Sequence, residues 1–259
     1  MARGSLIVVG TGIKLVEQCT PEARRQIEGA EAVYAQSGDP VVLRWLETLN
    51  PNTLSLIYLY GAGRARNETY DAMTEVILDG VRSGKKVCAV FYGHPGVFVG
   101  PSHAALGRAR AEGFEARMIP AISAEDCLYA DLGVDPGGLG CQSYEATDFL
   151  LYARRFDRTA ALILWQIAVV GDQSLREFEP DPKRLALLAE ILMEHYPPDH
   201  PVTVYEAATL PVGRPKIDIM PLRALRDAEV SQQSTLFIPP YGDPLICPER
   251  LARLNAILA

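Results

Sequence analysis

The chain has 259 residues, 48% of them hydrophobic, and a formal net charge of −7. That length and apolar share allow one large domain or two modest ones. The acidic balance excludes a general electrostatic attraction to nucleic acid or anionic lipid, and five scattered cysteines without a C-x-x-C pair exclude a disulfide scaffold or a paired-cysteine zinc site.

The first half alternates strand and helix. SLIVVG (5–10) is a continuous apolar run and reads as a buried parallel strand. TPEARRQIEGA (20–30) opens a helix with Thr20 as N-cap and Pro21 at the first helical position. AVYAQ (32–36) is a second strand, and DPVVLRWLETLN (39–50) repeats the cap-plus-proline signal. LSLIYLY (54–60) reads as a third strand, and 67–84 as a helix with Tyr70, Met73, Ile77 and Val81 on its apolar face. KVCAVFYG (86–93), SHAALGRARAEG (102–113) and EARMIP (115–120) continue as strand, helix and strand. This alternation predicts a parallel α/β sheet.

After the helix SAEDCLYADLG (123–133), the segments CQSYEA, ALILWQI, PVTVYEAA, KIDIM and STLFIPP read as strands in quick succession, with one long helix at 183–196. That predicts a mixed α+β domain with antiparallel pairs. The chain thus reads as an N-terminal α/β domain over 1–120 and a C-terminal mixed α/β domain over 121–259. The apolar run before GTG is too short for a signal-peptide core, and no segment is long enough to be transmembrane. The expected setting is cytoplasmic, with no membrane and no nucleic-acid partner. Most cysteines are expected to be small core residues.

Three short stretches bear on chemistry. GTGI (10–13) lacks the third glycine of a dinucleotide fingerprint and reads as a tight turn after a strand. FYGHPGVFV (91–99) sits at the carboxyl end of a predicted strand, where open α/β sheets bind ligands. Its glycines permit close backbone approach, although composition alone equally fits a Gly/Pro turn beneath a core aromatic. YLYGAGRARNETY (58–70) places Tyr58, Tyr60, Arg64, Arg66 and Tyr70 together. Tyrosines suit strands, Tyr70 suits a helix's apolar face, and the arginines suit a solvated loop; a catalytic reading stands beside that one. His94 fits ligand contact, His103 a helix's first turn, and His195 and His200 the surface. Asp126 and Asp131 fit helix-start and surface charges, and GDP (242–244) a turn before the last helix. Scattered histidines and unpaired cysteines give no catalytic metal.

The series GTGIKL, FYGHPGVF, PAISAEDCLYADLG, LWQI, VYEAA and STLFIPP resembles the tetrapyrrole methylase fold of class III S-adenosylmethionine-dependent methyltransferases. His94 replaces the aspartate of that group's usual G-D-P loop, and Ala121 replaces a glycine of its later motif. YGHPGVFV, SAEDCLYADLGVDP and CQSYEATDFLL are similar to the borosin peptide backbone α-N-methyltransferases. The resemblance covers nearly the whole chain. It implies a donor cleft between the two domains and a homodimer, with 183–196 as a candidate interface helix. Because the chain stops soon after the last fold motif, the split form is expected, with a separate precursor peptide as substrate.

The resemblance implies that Tyr92, His94, Val97, Phe98, Ser123, Ala124, Gln166, Ala207, Ser234 and Thr235 hold S-adenosyl-L-methionine and its product S-adenosyl-L-homocysteine, without a metal. It implies Tyr60, Arg66 and Tyr70 as catalytic, with Tyr58 as a further family tyrosine. An amide nitrogen is a poor nucleophile because its lone pair is delocalised into the carbonyl. The site therefore needs a base and an electrostatic clamp on the amide oxygen. Tyr60 or Tyr70 fits the base and Arg66 the clamp; an adjacent arginine is expected to lower a phenol's pKa. The alternatives are a class III methyltransferase acting on a tetrapyrrole or other small molecule, and a donor-binding regulator without turnover.

Overall fold

The computed structural model describes residues 4–61, 65–174, 176–177 and 179–258; Arg64 lies outside them. Contacts divide the chain into two units. The first is Met1–Val134 with Asp172–Glu177 and Glu206–Lys216; the second is Asp135–Gly171, Phe178–Tyr205 and Ile217–Ala259.

The first unit is built on strands β1 (Ser5–Gly10), β2 (Ala32–Gln36), β3 (Thr53–Ser55), β4 (Lys86–Phe91) and β5 (Glu115–Met118), in the order β3-β2-β4-β1-β5. Every pairing is parallel. Side-chain alternation divides the apolar residues between two faces. Val9, Val33, Ala35, Cys88 and Val90 meet α1 (Pro21–Glu28) and α2 (Pro40–Leu49) through Ile27 and Leu46. Leu6, Val8, Val87, Ala89 and Phe91 meet α3 (Arg66–Arg82) and α4 (Gly100–Ala111) through Met73, Ile77 and Ala105. Both faces are covered, which is why the strands read as unbroken apolar runs. The caps fall where expected: Thr20 and Asp39 accept from Ala23 and Val41 N–H.

The third strand is a correction. LSLIYLY is apolar but for Ser55, yet the ladder ends at that serine and a 3-10 turn follows at Ile57–Leu59. Leu56 still donates to Ala35 O at 2.8 Å and buries its side chain; Tyr60 N then bonds back to Ile57 O at 3.0 Å. The tyrosines therefore leave the sheet instead of extending it.

Helix α5 (Ala124–Leu132) groups with the first unit, touching its first loop through a Gln18 Nε2 to Cys127 Sγ contact of 3.6 Å. The segment 206–216 also returns there: Leu15 N donates to Thr209 O at 2.9 Å.

The second sheet comprises β6 (Cys141–Glu145), β7 (Ala161–Trp165), β8 (Pro201–Glu206), β9 (Lys216–Pro221) and β10 (Thr235–Ile238), in the order β6-β7-β10-β8-β9. β6 pairs parallel with β7, while β10 runs antiparallel to β7 and β8, so the sheet is mixed. A short helix not read from the sequence, α6 (Ala146–Leu151), follows β6 and is capped by Glu145. The long helix α7 (Pro182–Met193) buries Leu185, Leu188 and Leu192 in this unit's core, so its apolar stripe is already used. Exposed apolar residues cluster later, at Leu245, Ile246, Ile257 and Leu258, the last two on α8 (Pro248–Leu258).

Two further expectations change. Cys88 is buried, but Cys19, Cys127, Cys141 and Cys247 are half-exposed. His200 is buried with its Nε2 3.0 Å from Pro239 O, because it stacks against Tyr196; His195 is exposed. No helix among the described residues is long and apolar enough to cross a membrane.

Candidate active site

The strand order places β1 beside β4, and their following crossovers leave to opposite sides. The ends of these strands form the topological switch point at which such sheets bind ligands. Both glycine loops stand there. Gly12 N donates to Gly93 O at 3.3 Å, and Gly93 N donates to Gly12 O at 3.0 Å. The two glycines have φ of +71° and +67°, a region that glycine enters without steric cost. A Cβ on Gly10 would lie 2.0 Å from Gly93 O, so any side chain there would separate the loops.

The His94 loop is braced internally. Gly96 N donates to His94 Nδ1 at 2.9 Å, so that nitrogen is an acceptor and a neutral ring carries its proton on Nε2. Ser102 donates to Pro95 O, and His103, in the first turn of α4, sets its Nε2 2.9 Å from Gly96 O. Tyr92, Val97 and Phe98 are 42%, 36% and 49% exposed. Phe98 has φ of +55°, uncommon for an aromatic residue and a mark of local strain. Phe91, at the start of this stretch, is the buried core aromatic, while Tyr92, Val97 and Phe98 form an open edge.

Tyr60, Arg66 and Tyr70 gather on one side of the first unit. Arg66 opens α3, and Tyr70 lies one turn on, on the same helix face. Tyr60 ends the 3-10 turn, and its hydroxyl accepts from Gln36 Nε2 at 3.3 Å. Burial pushes the Tyr70 phenol up to about 12, aided by the charge of Tyr60 and its hydrogen bond with Tyr60; Arg66 opposes this. The arginine effect has the expected sign and is outweighed. Tyr70 therefore keeps its proton at neutral pH. Tyr58 is 61% exposed, on the same turn as Tyr60.

Arg66 also has a partner that the sequence did not suggest. Its Nη2 lies 3.4 Å from Asp172 Oδ2, and the Asp172 side chain is 1% exposed. Burial pushes the Asp172 carboxyl up, but hydrogen bonds from Ser174 and Glu177 N–H and the Arg66 charge outweigh it and hold the group below its ordinary range. Gln36 and Asp172 were both missed. Gln36 at a strand's carboxyl end carried a positional signal; Asp172, 106 residues from Arg66, carried none.

The remaining donor-site candidates divide between the units. Ser123 caps α5 in a capping box with Asp126, its N and Oγ each 2.7 Å from Asp126 Oδ2, and Ala124 is the first helical residue. Ala207 follows β8, in the segment that groups with the first unit. In the second unit, Gln166 follows β7 with φ of +60°, and Ser234 and Thr235 are buried at the start of β10. Ser234 Oγ accepts from Ser231 N at 2.8 Å, closing the turn before that strand.

A family model described as tetrapyrrole (corrin/porphyrin) methylases matches residues 5–218. The chain belongs to the tetrapyrrole methylase family. Among curated proteins, this methylase chain is 44% identical over 241 residues to the methyltransferase/ribosomally synthesized cyclic peptide dendrothelin A precursor of Dendrothele bispora. That alignment covers 92% of this chain and 58% of the relative, so the chain spans little more than half the relative's length. It is 38% identical to a methyltransferase/ribosomally synthesized type III borosin cyclic peptide precursor of Anomoporia bombycina, covering 99% of this chain and 30% of that one. Among solved structures, uroporphyrin-III C-methyltransferase from Thermus thermophilus, complexed with S-adenyl homocysteine, superposes with a TM-score of 0.59 at 19% identity, covering 91% and 92% of the two chains. That likeness is one of fold.

Proposed function

We propose that this chain catalyses S-adenosylmethionine-dependent α-N-methylation of backbone amides in a ribosomally synthesised precursor peptide supplied as a separate molecule. The observation that carries this reading is the grouping of Tyr60, Arg66 and Tyr70 beside one another, in a chain 44% identical to a peptide-precursor methyltransferase.

The residues at the switch point fit the donor. The glycine clasp brings backbone close where a Cβ would intrude, and Tyr92, Val97 and Phe98 offer an apolar edge for adenosine or the methionine chain. The family resemblance adds Ser123, Ala124, Gln166, Ala207, Ser234 and Thr235 as donor contacts. When bound, S-adenosylmethionine supplies an electrophilic sulfonium methyl. Arg66 and the protonated Tyr70 face the amide oxygen, which gains negative charge as the N–H proton passes to the base and loses it as the nitrogen takes the methyl. Because Tyr70 holds its proton to about 12, the base role passes to Tyr60. Tyr58 edges the peptide path. The family resemblance supports a homodimer, and the exposed apolar residues around α8 are consistent with it.

The test is to mix the purified chain with S-adenosylmethionine and the precursor peptide encoded nearest its gene, then sequence the peptide by tandem mass spectrometry. Methyl increments on backbone amides, absent with Arg66→Ala, are expected. A peptide left unmodified by protein that binds the donor would overturn the peptide reading.

A further inference from the structure

Asp172 is the most deeply buried charged group beside the candidate catalytic residues, and the reaction as proposed does not require it. Its carboxylate has defined partners on both oxygens. Oδ1 accepts from Ser174 N at 2.9 Å and Ser174 Oγ at 2.5 Å. Oδ2 accepts from Glu177 N at 3.0 Å and faces Arg66 Nη2 at 3.4 Å. Ser174 and the Glu177 N–H thus hold the carboxylate, and the carboxylate holds the first residue of α3.

We propose that Asp172 is a positioning residue for Arg66: it fixes the guanidinium at the reacting amide and cancels its charge within the tyrosine cluster. This rests on the peptide-methylation reading for its catalytic arm, but not for its electrostatic arm.

The physical grounds are these. A long arginine side chain at a helix start loses much of its rotamer freedom when fixed. One anchored carboxylate removes that freedom before substrate arrives, and orientation is a large share of what such a site contributes. Asp172 engages Nη2, and because the guanidinium is a planar, rigid fork, holding one arm sets the direction of the whole group. The electrostatic consequence follows from burial. An uncompensated guanidinium beside Tyr70 would favour the phenolate. With Asp172 in place the pair is neutral, and Tyr70 remains a hydroxyl donor. Among the described residues, the titratable groups that act on Tyr70 are Tyr60, from the turn after β3, and Arg66, from its own helix; α4 faces it with Gly100.

The experiment uses the full chain and four variants. Tyrosine ring carbons are labelled and titrated by NMR, with Tyr70→Phe assigning the Tyr70 signal. Asp172→Asn is isosteric and keeps acceptor capacity for Ser174. It is expected to lower the Tyr70 midpoint by about one pH unit and to lower kcat for peptide methylation about tenfold, with donor affinity unchanged. Asp172→Glu retains the charge and is expected to hold the midpoint near the wild-type value while lowering kcat through misplacement. Ser174→Ala leaves the charge in place and is expected to leave the midpoint unmoved with a smaller loss of kcat. An unmoved midpoint in Asp172→Asn would overturn the proposal, as would a Ser174→Ala variant that matches its loss of kcat, since Asp172 would then be a turn residue only. Should Asp172→Asn not fold, an unchanged kcat in Asp172→Glu overturns the role. If wild-type protein methylates no peptide, the function proposed above fails while the Tyr70 titration still decides the charge relation.

Discussion

The α-carbon of Gly10 faces the carbonyl of Gly93 so closely that a methyl group there would sit 2.0 Å from its oxygen. The same position would meet the Ala121 methyl and Pro95 Cδ at 2.8 Å. Three segments distant in sequence thus converge on one hydrogen atom. Gly10→Ala is expected to destabilise the chain by about 2 kcal/mol, in the range of overpacked cores. It should also weaken S-adenosylmethionine binding by at least about tenfold, because the loops can then close only by shifting. Urea unfolding and titration calorimetry check the two effects.

Arg66→Ala removes one member of a largely buried pair and strands the other. Loss of such a partner costs about 3 kcal/mol at neutral pH. The acid limb provides a second check. The Asp172 carboxyl is held below its ordinary value of 3.8 in the folded state. Its stabilisation is therefore fully present above that value and is lost as pH falls through the folded-state value. The Asp172→Asn chain should show a flatter decline in stability in this acid range, measured by urea midpoints at successive pH values.

Tyr70→Phe separates chemistry from packing. The ring lies against Gly100, whose added Cβ would come within 3.3 Å of it, and phenylalanine preserves that packing. Methylation is expected to fall at least about a hundredfold, the scale of removing one donor from a developing oxyanion. Stability at neutral pH should change by less than about 1 kcal/mol. The folded chain holds Tyr70 protonated to about 12, against 10 for a free phenol. Stability should thus fall as pH rises from 10 toward 12, and Tyr70→Phe should lessen that fall. Full methylation by both Tyr60→Phe and Tyr70→Phe would remove the tyrosines from the mechanism.

Ser123→Ala removes the hydroxyl that accepts from Asp126 N and donates to Asp126 Oδ2, and leaves the backbone half of the α5 capping box in place. Loss of a serine cap costs about 1 kcal/mol. If Ser123 also touches the donor, calorimetry should show a loss of affinity that the capping variant Asp126→Asn does not share.

Much of the first sheet was legible because its strands are buried on both faces, and continuous apolar runs such as SLIVVG mark that condition. Thr20-Pro21, Asp39-Pro40 and Ser123 with Asp126 marked helix starts through local hydrogen bonds that lie within a few residues. LSLIYLY misled because hydrophobicity does not record where a ladder loses its partner; β2 ends at Gln36, and the chain turns once pairing ceases. The helix at Ala146–Leu151 begins on a glutamate cap directly after a strand, with no glycine or proline between to punctuate it. At the candidate site, Arg66 and Tyr70 were legible as helix neighbours four apart. The Asp172 pairing was not, since nothing local distinguishes that aspartate from a surface charge.

The return of 172–177 and 206–216 to the first unit has a consequence for engineering. A gene cut after Val134 would still encode the parallel sheet, both glycine loops and the Tyr60–Tyr70 cluster. It would leave Arg66 without its carboxylate and Leu15 without the Thr209 carbonyl. Transplanting this half onto another scaffold therefore means carrying two later stretches of chain with it; the exchangeable module is discontinuous in sequence.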